Sequence, residues 1–329
     1  MTPSAFFDIQ AHRGGRDARP ENTLAAFAYA LELGVTTLEM DMQLIRDGHV
    51  VISHDPWLNP ALARTTDGRY VQPGEYDIRA MTLAEVKSFD VGVMNPDAGE
   101  YYAAHGATQV SAPGSRIPTL TEVFDLVISY GRADVRLNIE TKSYADPLDP
   151  AHRLSPEPDL FVRIVYDAVR HYGMEDRVTL QSFDWRTLVV MRKLAPRIDL
   201  SALSCEQPSW GRKGCCLRLN ESEASPWLGG LNIHDFDGNY VRAAKAIGAH
   251  AVSPYYMELT PALVCEAHAL GMRVLPWTVN SQSDMESMLD MGVDGIITDR
   301  PGLLRDILAW RGLALPAVLK KRLGLCQVP

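Results

Sequence analysis

Nowhere does this chain carry an apolar run near the ~20 residues that a membrane-spanning helix needs, so stable insertion in a bilayer by a helix is not expected. Cysteine is scarce. The five thiols, Cys205, Cys215, Cys216, Cys265 and Cys326, are odd in number and show no C-x-x-C spacing, which argues against a thiol-based metal or redox centre. Free thiols are the expectation, with a bridge at Cys215 or Cys216 as the alternative. No H-x-x-x-H pair is present either, which turns the metal question away from zinc. Positive charge is also short: 32 Lys and Arg against 41 Asp and Glu leave a net charge of -9. That balance speaks against a nucleic-acid partner, although a local pocket on an acidic protein still accepts a small anion. The start, MTPSAFFDIQ, lacks the basic and apolar regions of a signal peptide. A cytoplasmic protein is therefore expected for the chain as given, and a periplasmic or secreted one if a signal was trimmed. Internal repeats and low-complexity tracts are missing, and no motif assigns an oligomeric state.

What is present is an alternation. Strand-like runs cover Phe7–Ala11, Thr37–Gln43, Val50–His54, Val135–Thr141, Val178–Ser182, Asp199–Ser204, His250–Ser253, Arg273–Val279 and Gly295–Thr298. Helical patterns lie between them. In TLAAFAYALELG, Leu24, Phe27, Ala28 and Leu31 follow helical spacing, Asn22 or Thr23 serves as cap, and Gly34 as stop. Asp47-Gly48 is a hairpin signal, so Val50–His54 should fold back antiparallel on the strand before it. Eight β units then remain. With 329 residues and 46% hydrophobic content, the expected fold is an α/β TIM (β/α)8 barrel of one catalytic domain. Residues 55–118, rich in Gly, Pro, Asp and Tyr with one helix near Thr82–Phe89, read as an insertion subdomain after the hairpin strand. Cys205–Gly230 reads as a long loop, a candidate for substrate choice because loops after barrel strands overhang the active face. Asp235–Asn239 (DFDGN) reads as a turn and the tail LKKRLGL as a solvated end.

Polar residues collect at the carboxyl ends of those strands. His12 and Arg13 end the first; Glu39 and Asp41 lie in the second; His54 and Asp55 follow the hairpin strand. Glu140 and Lys142 end the next, followed by Gln181, Phe183 and, later, Trp277. Each has a bland reading: a solvated edge for Glu39 and Asp41, a core histidine, a plain Glu140–Lys142 ion pair, a core tryptophan. Coincidence at five strand ends favours a shared site. Side chains two apart share a face of a strand, and paired carboxylates repel unless a cation or a proton lies between them. Glu39, Asp41 and Glu140 thus suit one hard divalent cation, Mg2+ or Ca2+. With Arg13 and Lys142 to hold nonbridging oxygens and His12 and His54 as proton carriers, phosphoryl chemistry fits the set. Gly14 and Gly15 are expected to let the backbone come close to the phosphate.

The ordered stretches HRGGRDARPENT, LEMDMQ, SHD and IETK, with the later QSF, WTVN and GIITDRP, resemble the glycerophosphodiester phosphodiesterase family. The resemblance runs from Ala11 to about Gly302. It implies a TIM barrel with an insertion after SHD and metal-dependent hydrolysis of a small-molecule glycerophosphodiester to glycerol 3-phosphate and an alcohol. Carried over by position, His12 and His54 become the acid–base pair and Arg13 and Lys142 the phosphate ligands. Glu39, Asp41 and Glu140 become the metal ligands, with Gln181, Phe183 and Trp277 beside the substrate. The alternative on the same barrel is a phospholipase D-like enzyme acting on lysophospholipid or sphingomyelin, for which Trp57, Trp210 and Trp227 leave room. A glycoside hydrolase would explain a carboxylate pair but leave two histidines, Arg13 and Lys142 without work, and a non-catalytic sugar-phosphate- or protein-binding barrel would show no turnover.

Overall fold

The computed structural model describes residues 6–211 and 214–319; most of the basic tail, with Cys326, lies outside them. The strands are β1 (Asp8–Ala11), β2 (Thr37–Leu44), β3 (Val50–Ile52), β4 (Arg136–Thr141), β5 (Val178–Ser182), β6 (Asp199–Ser204), β7 (Ala251–Pro254), β8 (Arg273–Val274) and β9 (Gly295–Thr298). All but β3 run parallel, in the order β8, β7, β6, β5, β4, β2, β1, β9, and β3 pairs antiparallel with β2. The two ends of that order meet. Asp294 N–H donates to the Val274 carbonyl, Ile297 N–H to Pro276 and Val279 N–H to Ile297, at 3.0–3.1 Å, so the sheet curls into a nearly closed TIM barrel. The eighth strand is much shorter than the expected Arg273–Val279, because Pro276 has no N–H to donate to a ladder.

Helices α1 (Leu24–Leu33), α4 (Leu120–Ser129), α5 (Pro158–His171), α6 (Trp185–Leu194), α7 (Tyr240–Ala246), α8 (Pro261–Ala269), α9 (Gln282–Met291) and α10 (Pro301–Trp310) follow the strands around the barrel. Their apolar faces and the outward side chains of the strands, among them Ile9, Leu38, Met40 and Ile139, form the main core. Helix α1 is capped by Thr23, which accepts from Ala26 N–H, and stops at Gly34 with φ 84°. Its buried stripe is Ala26, Phe27, Ala30 and Leu31 rather than the spacing expected from Leu24 and Ala28. The reason lies in the preceding turn: a Cβ on Gly14 would sit 2.7 Å from the Ala26 Cβ. The small alanine face therefore docks on Gly14, and Gly14 and Gly15 both take left-handed φ values, 82° and 88°.

After β3 the chain crosses residues 55–118, which hold α2 (Leu83–Ser88) and a second short helix, α3 (Glu100–His105), that the sequence pattern had hidden. Leu58, Leu62, Val71, Ile78, Val86 and Phe89 pack with Ile45 and Val51 in an apolar cluster separate from the main core. Cysteines 205, 215, 216 and 265 form no disulfide among the described residues. Among the described residues no helix is long and apolar enough to cross a membrane.

Candidate active site

Register explains why the carboxylates meet. In the parallel β2/β4 ladder Asp41 lies opposite Glu140 and Glu39 opposite Asn138, and in β4/β5 Glu140 lies opposite Gln181. Glu39 and Asp41 are only 1% exposed and Glu140 5%, which removes the solvated-edge reading. One oxygen from each lies within 4.8 Å of the others. Three buried like charges at that spacing do not stay ionised on their own. Burial, with Asp41 and Glu140 nearby, pushes the Glu39 carboxyl well above its usual range; burial also raises Glu140. Asp41 goes the other way, because Lys142 and Arg13 outweigh its burial.

The cations are already engaged. Lys142 Nζ lies 2.6 Å from Glu140 Oε1 and 3.0 Å from Asp41 Oδ1. The Arg13 guanidinium bonds Glu21 Oε1 at 2.8 Å and approaches Asp41 Oδ2 at 3.2 Å. Arg13 has a φ of 52°, and that left-handed turn aims its backbone N–H at Glu39 Oε2, 2.8 Å away. Gln181, expected beside the substrate, donates to Glu39 Oε1 at 2.9 Å and accepts from Asn138, which also bonds Gln10. It therefore orients a carboxylate of the trio as well as lining the cavity. Asn22 donates to Asp41 Oδ2 at 2.8 Å.

Do these groups suit a divalent ion? Three cations, Arg13, Arg16 and Lys142, face five carboxylates, Glu21, Glu39, Asp41, Glu140 and Asp299. The formal excess is two negative charges. Asp41 Oδ1 is buried and accepts no hydrogen bond, although Lys142 stands beside it. All-oxygen donors, an excess of two negative charges and an Asp41 oxygen met only by the Lys142 ion pair fit a hard cation.

Two imidazoles flank the trio. His12 follows β1, and its Nδ1 is 2.6 Å from Asp299 Oδ1 at the end of β9. Asp299 also accepts from Arg16 Nε at 2.8 Å and from Asn280 Nδ2 at 2.7 Å. Burial lowers the His12 pKa to about 4; Arg13 and Arg16 add to that, and Asp299 opposes it without prevailing. His54 lies beyond β3, not inside a longer strand, with its carbonyl held by Gln43 Nε2 at 3.1 Å and its Nδ1 2.8 Å from Asp55 Oδ1. Phe183 and Trp277 meet edge to face at 5.3 Å, and Trp277 Nε1 donates to the Ser253 carbonyl at 2.8 Å. His12, Arg13, Glu39, His54, Glu140, Lys142, Gln181, Phe183 and Trp277 all line one cavity of about 510 Å3, and Asp41 lies just behind it.

Sequence reasoning missed Asp299, Arg16, Glu21, Asn22 and Asn280. Asp299 was open to detection, since it ends a barrel strand in GIITDRP, the same criterion that singled out the others.

A TIM barrel whose mouth joins buried carboxylates, paired imidazoles and cations has the make-up of a phosphoryl-group hydrolase. The comparisons narrow this. The model of the Glycerophosphoryl diester phosphodiesterase family matches residues 12–303. A glycerophosphodiester phosphodiesterase of Caldanaerobacter subterraneus subsp. tengcongensis is 33% identical over 296 residues, 90% of this chain and 95% of the relative. One of Bacillus altitudinis is 30% identical, over 89% and 94%. A crystal structure from Silicibacter pomeroyi, of a protein proposed to be a glycerophosphoryl diester phosphodiesterase, aligns with TM-score 0.77 and 35% identity over 93% and 94% of the two chains. An Oleispira antarctica phosphodiesterase, solved with its product sn-glycerol-3-phosphate, shares the fold at TM-score 0.65 and 22% identity, over 93% and 98%. The chain belongs to the glycerophosphoryl diester phosphodiesterase family, and it is an enzyme of that activity, a phosphoric diester hydrolase.

Proposed function

We propose that the enzyme hydrolyses small glycerophosphodiesters to glycerol 3-phosphate and an alcohol, with one divalent cation, Mg2+ or Ca2+, held by Glu39, Asp41 and Glu140. The carrying observation is the carboxylate trio between two aspartate-held histidines in one cavity. The product named for the Oleispira antarctica enzyme supports the same reaction. When bound, the ion supplies neutralisation of the charge that moves across the phosphoryl group and polarises its oxygens.

The chain's own groups do the rest. Arg13 and Lys142 hold nonbridging oxygens; both already border the cavity. Phe183 and Trp277 wall the substrate. Asp299 takes the Nδ1 proton side of His12 and leaves Nε2 for the substrate; Asp55 does the same for His54. One histidine accepts the proton of the glycerol hydroxyl as it attacks phosphorus, and the other protonates the departing alcohol. The resulting cyclic phosphate is opened by water with the roles reversed. Residues 55–118 act as an insertion within the single catalytic domain, contributing Tyr101, whose hydroxyl donates to Glu21 at 2.8 Å.

The test is release of glycerol 3-phosphate from metal-stripped protein before and after Mg2+ or Ca2+ is restored, with Glu140→Ala alongside. Recovery in the native chain and loss of both metal and activity in the variant are expected. Full activity in Glu140→Ala overturns the ligand set.

A further inference from the structure

Two recesses leave the reaction centre, and they differ in chemistry. Their shared wall is His54, Glu140, Lys142, Phe183, Trp210 and Trp277. The larger recess, about 510 Å3, runs past His12 and Arg16 to Asn280, Ser281 and Asp284. Hydrogen-bonding groups gather at that far end, while Leu203, Tyr255, Tyr256 and Ile297 add apolar wall. The smaller, about 170 Å3, backs onto Tyr144, Cys205, Cys216 and Trp227, and Asp149 also lines it. His12 borders only the larger, whereas His54 borders both.

The smaller recess is a built alcove. Ala145, Cys205, Cys216 and Trp227 form an apolar cluster apart from the barrel core, and Tyr144, Phe183, Tyr255 and Trp277 pack against it. Its rings stand at steep angles: Trp277 lies at 86° to Phe183, and Tyr255 at 66° to Trp210 with centroids 4.8 Å apart. The segment after β6 that carries Cys216 and Trp227 is pinned in two places. Arg218 makes a buried 2.8 Å ion pair with Asp146. Glu206 accepts from the N–H groups of Leu217, Arg218 and Leu219 at 3.1–3.2 Å.

We propose that this alcove is the subsite of the departing alcohol and that it selects alkylammonium alcohols, quaternary ones above all; the assignment rests on the diester hydrolysis proposed above. A polyol leaving group would find few partners among these thiols and ring faces, chiefly Ser143, Tyr144, Asp149 and the unpartnered Trp227 indole N–H, and each hydroxyl left unpaired costs free energy. A quaternary ammonium has no N–H to satisfy and is attracted by several aromatic faces at once. Charge points the same way. Asp149 Oδ1 accepts from the Ala151 N–H at 2.8 Å, and its carboxylate makes no ion pair with a cation among the described residues, so its charge is available to a positive head group. The polar recess is left for the glycerol half, whose hydroxyls find Asn280, Ser281 and Asp284.

The experiment compares kcat/KM for glycerophosphocholine, glycerophosphoethanolamine and glycerophosphoglycerol in the metal-loaded native enzyme, Trp210→Ala and Asp149→Asn. Titration with tetramethylammonium, followed by tryptophan fluorescence, gives a readout that needs no turnover. The native enzyme is expected to prefer the choline ester over the glycerol ester by about 10-fold, the worth of a desolvated cation–π contact. Trp210→Ala should remove most of that preference through KM, cost the choline ester several-fold more than the glycerol ester and weaken tetramethylammonium. Asp149→Asn, which keeps the Ala151 contact, should weaken both ammonium esters and tetramethylammonium by a few-fold. Lysophosphatidylcholine tested in parallel tells whether the head group arrives on a lipid: faster turnover than glycerophosphocholine keeps the alcove and makes the lipid its source. Equal kcat/KM for choline and glycerol esters, or a Trp210→Ala loss shared by all three, overturns the alcove while leaving the reaction standing. No glycerol 3-phosphate from any ester, in folded protein that binds metal, overturns the reaction and this assignment with it.

Discussion

His12 and His54 each present Nδ1 to an aspartate, yet the two pairs are built on opposite plans. His12 meets Asp299 at 2.6 Å with side-chain exposures of 11% and 2%, and the aspartate is held further by Arg16 and Asn280. His54 meets its own sequence neighbour at 2.8 Å, with exposures of 34% and 30%. The first pair is desolvated and braced from three sides; the second is open to solvent and braced by little besides Gln43. Desolvation keeps the His12 imidazole neutral far into acid, while the His54 imidazole stands at the rim, one-third exposed. Two residues of one type, in one cavity, are thus prepared for unlike tasks.

The largest expected effect does not separate the two sides. Chelation of the ion should silence both, with turnover falling below that of any single histidine variant and returning with Mg2+ or Ca2+. Next come the histidines. His12→Ala and His54→Ala should each lower kcat by roughly 10²–10⁴-fold with metal binding retained; normal turnover in either would remove it from the mechanism. The aspartates sharpen the contrast. Asp299→Asn should cost about 10–100-fold in kcat with a smaller change in KM, as loss of an orienting partner does, and Asp55→Asn only a few-fold. Equal losses would erase the distinction. In stability, Asp299→Ala should cost about 3 kcal/mol, because it strands Arg16 and His12 in a buried place; Asp55→Ala should cost no more than ~1 kcal/mol. Urea unfolding measures both.

The smallest effect is a pH slope. His12 titrates at about 4 in the fold against 6.5 when unperturbed, so between those values the unfolded chain holds a proton that the folded chain lacks. The His12 contribution to the stability of the metal-free protein should therefore fall as pH drops from about 6.5 to about 4. The raised Glu39 and Glu140 carboxyls contribute in the opposite sense, so the effect is read as the difference between the native chain and His12→Gln. Asp299, held below its ordinary 3.8 despite burial by His12 and Arg16, adds a further loss as the pH falls below that value. His12→Gln should flatten the upper part of the slope; an unchanged slope between pH 6.5 and 4 would mean that His12 is not the buried neutral group described.

Local pattern carried most of the barrel. The alternation in LEMDMQ revealed Glu39 and Asp41 because a strand has period 2, and Asp47-Gly48 announced the hairpin that brings His54 back over Asp41, whose carbonyl accepts from Ser53 N–H at 2.9 Å. What stayed hidden depends on distant partners. Helix α3 is only six residues long and follows Gly99, too short for periodicity to register. The early stop of β8 is set by Pro276 inside an otherwise regular run. Asp299, Glu21 and Asn22 acquire their roles only when the barrel closes and the first turn folds over β2. Gly14 was legible as a special position, but its neighbour was not: the sequence does not show that Ala26 comes so near.

The bond between His12 and Asp299 joins residues 287 positions apart, the first strand to the last. During synthesis the amino-terminal strand leaves the ribosome long before its partner is made, at ~5–20 residues per second. The carboxylate trio can be assembled once β4 has emerged, but the imidazole brace cannot form until β9 arrives and docks. The enzyme is thereby timed by its own topology: a nascent or prematurely ended chain would already own most of its reactive groups and yet lack the clasp that makes them work together.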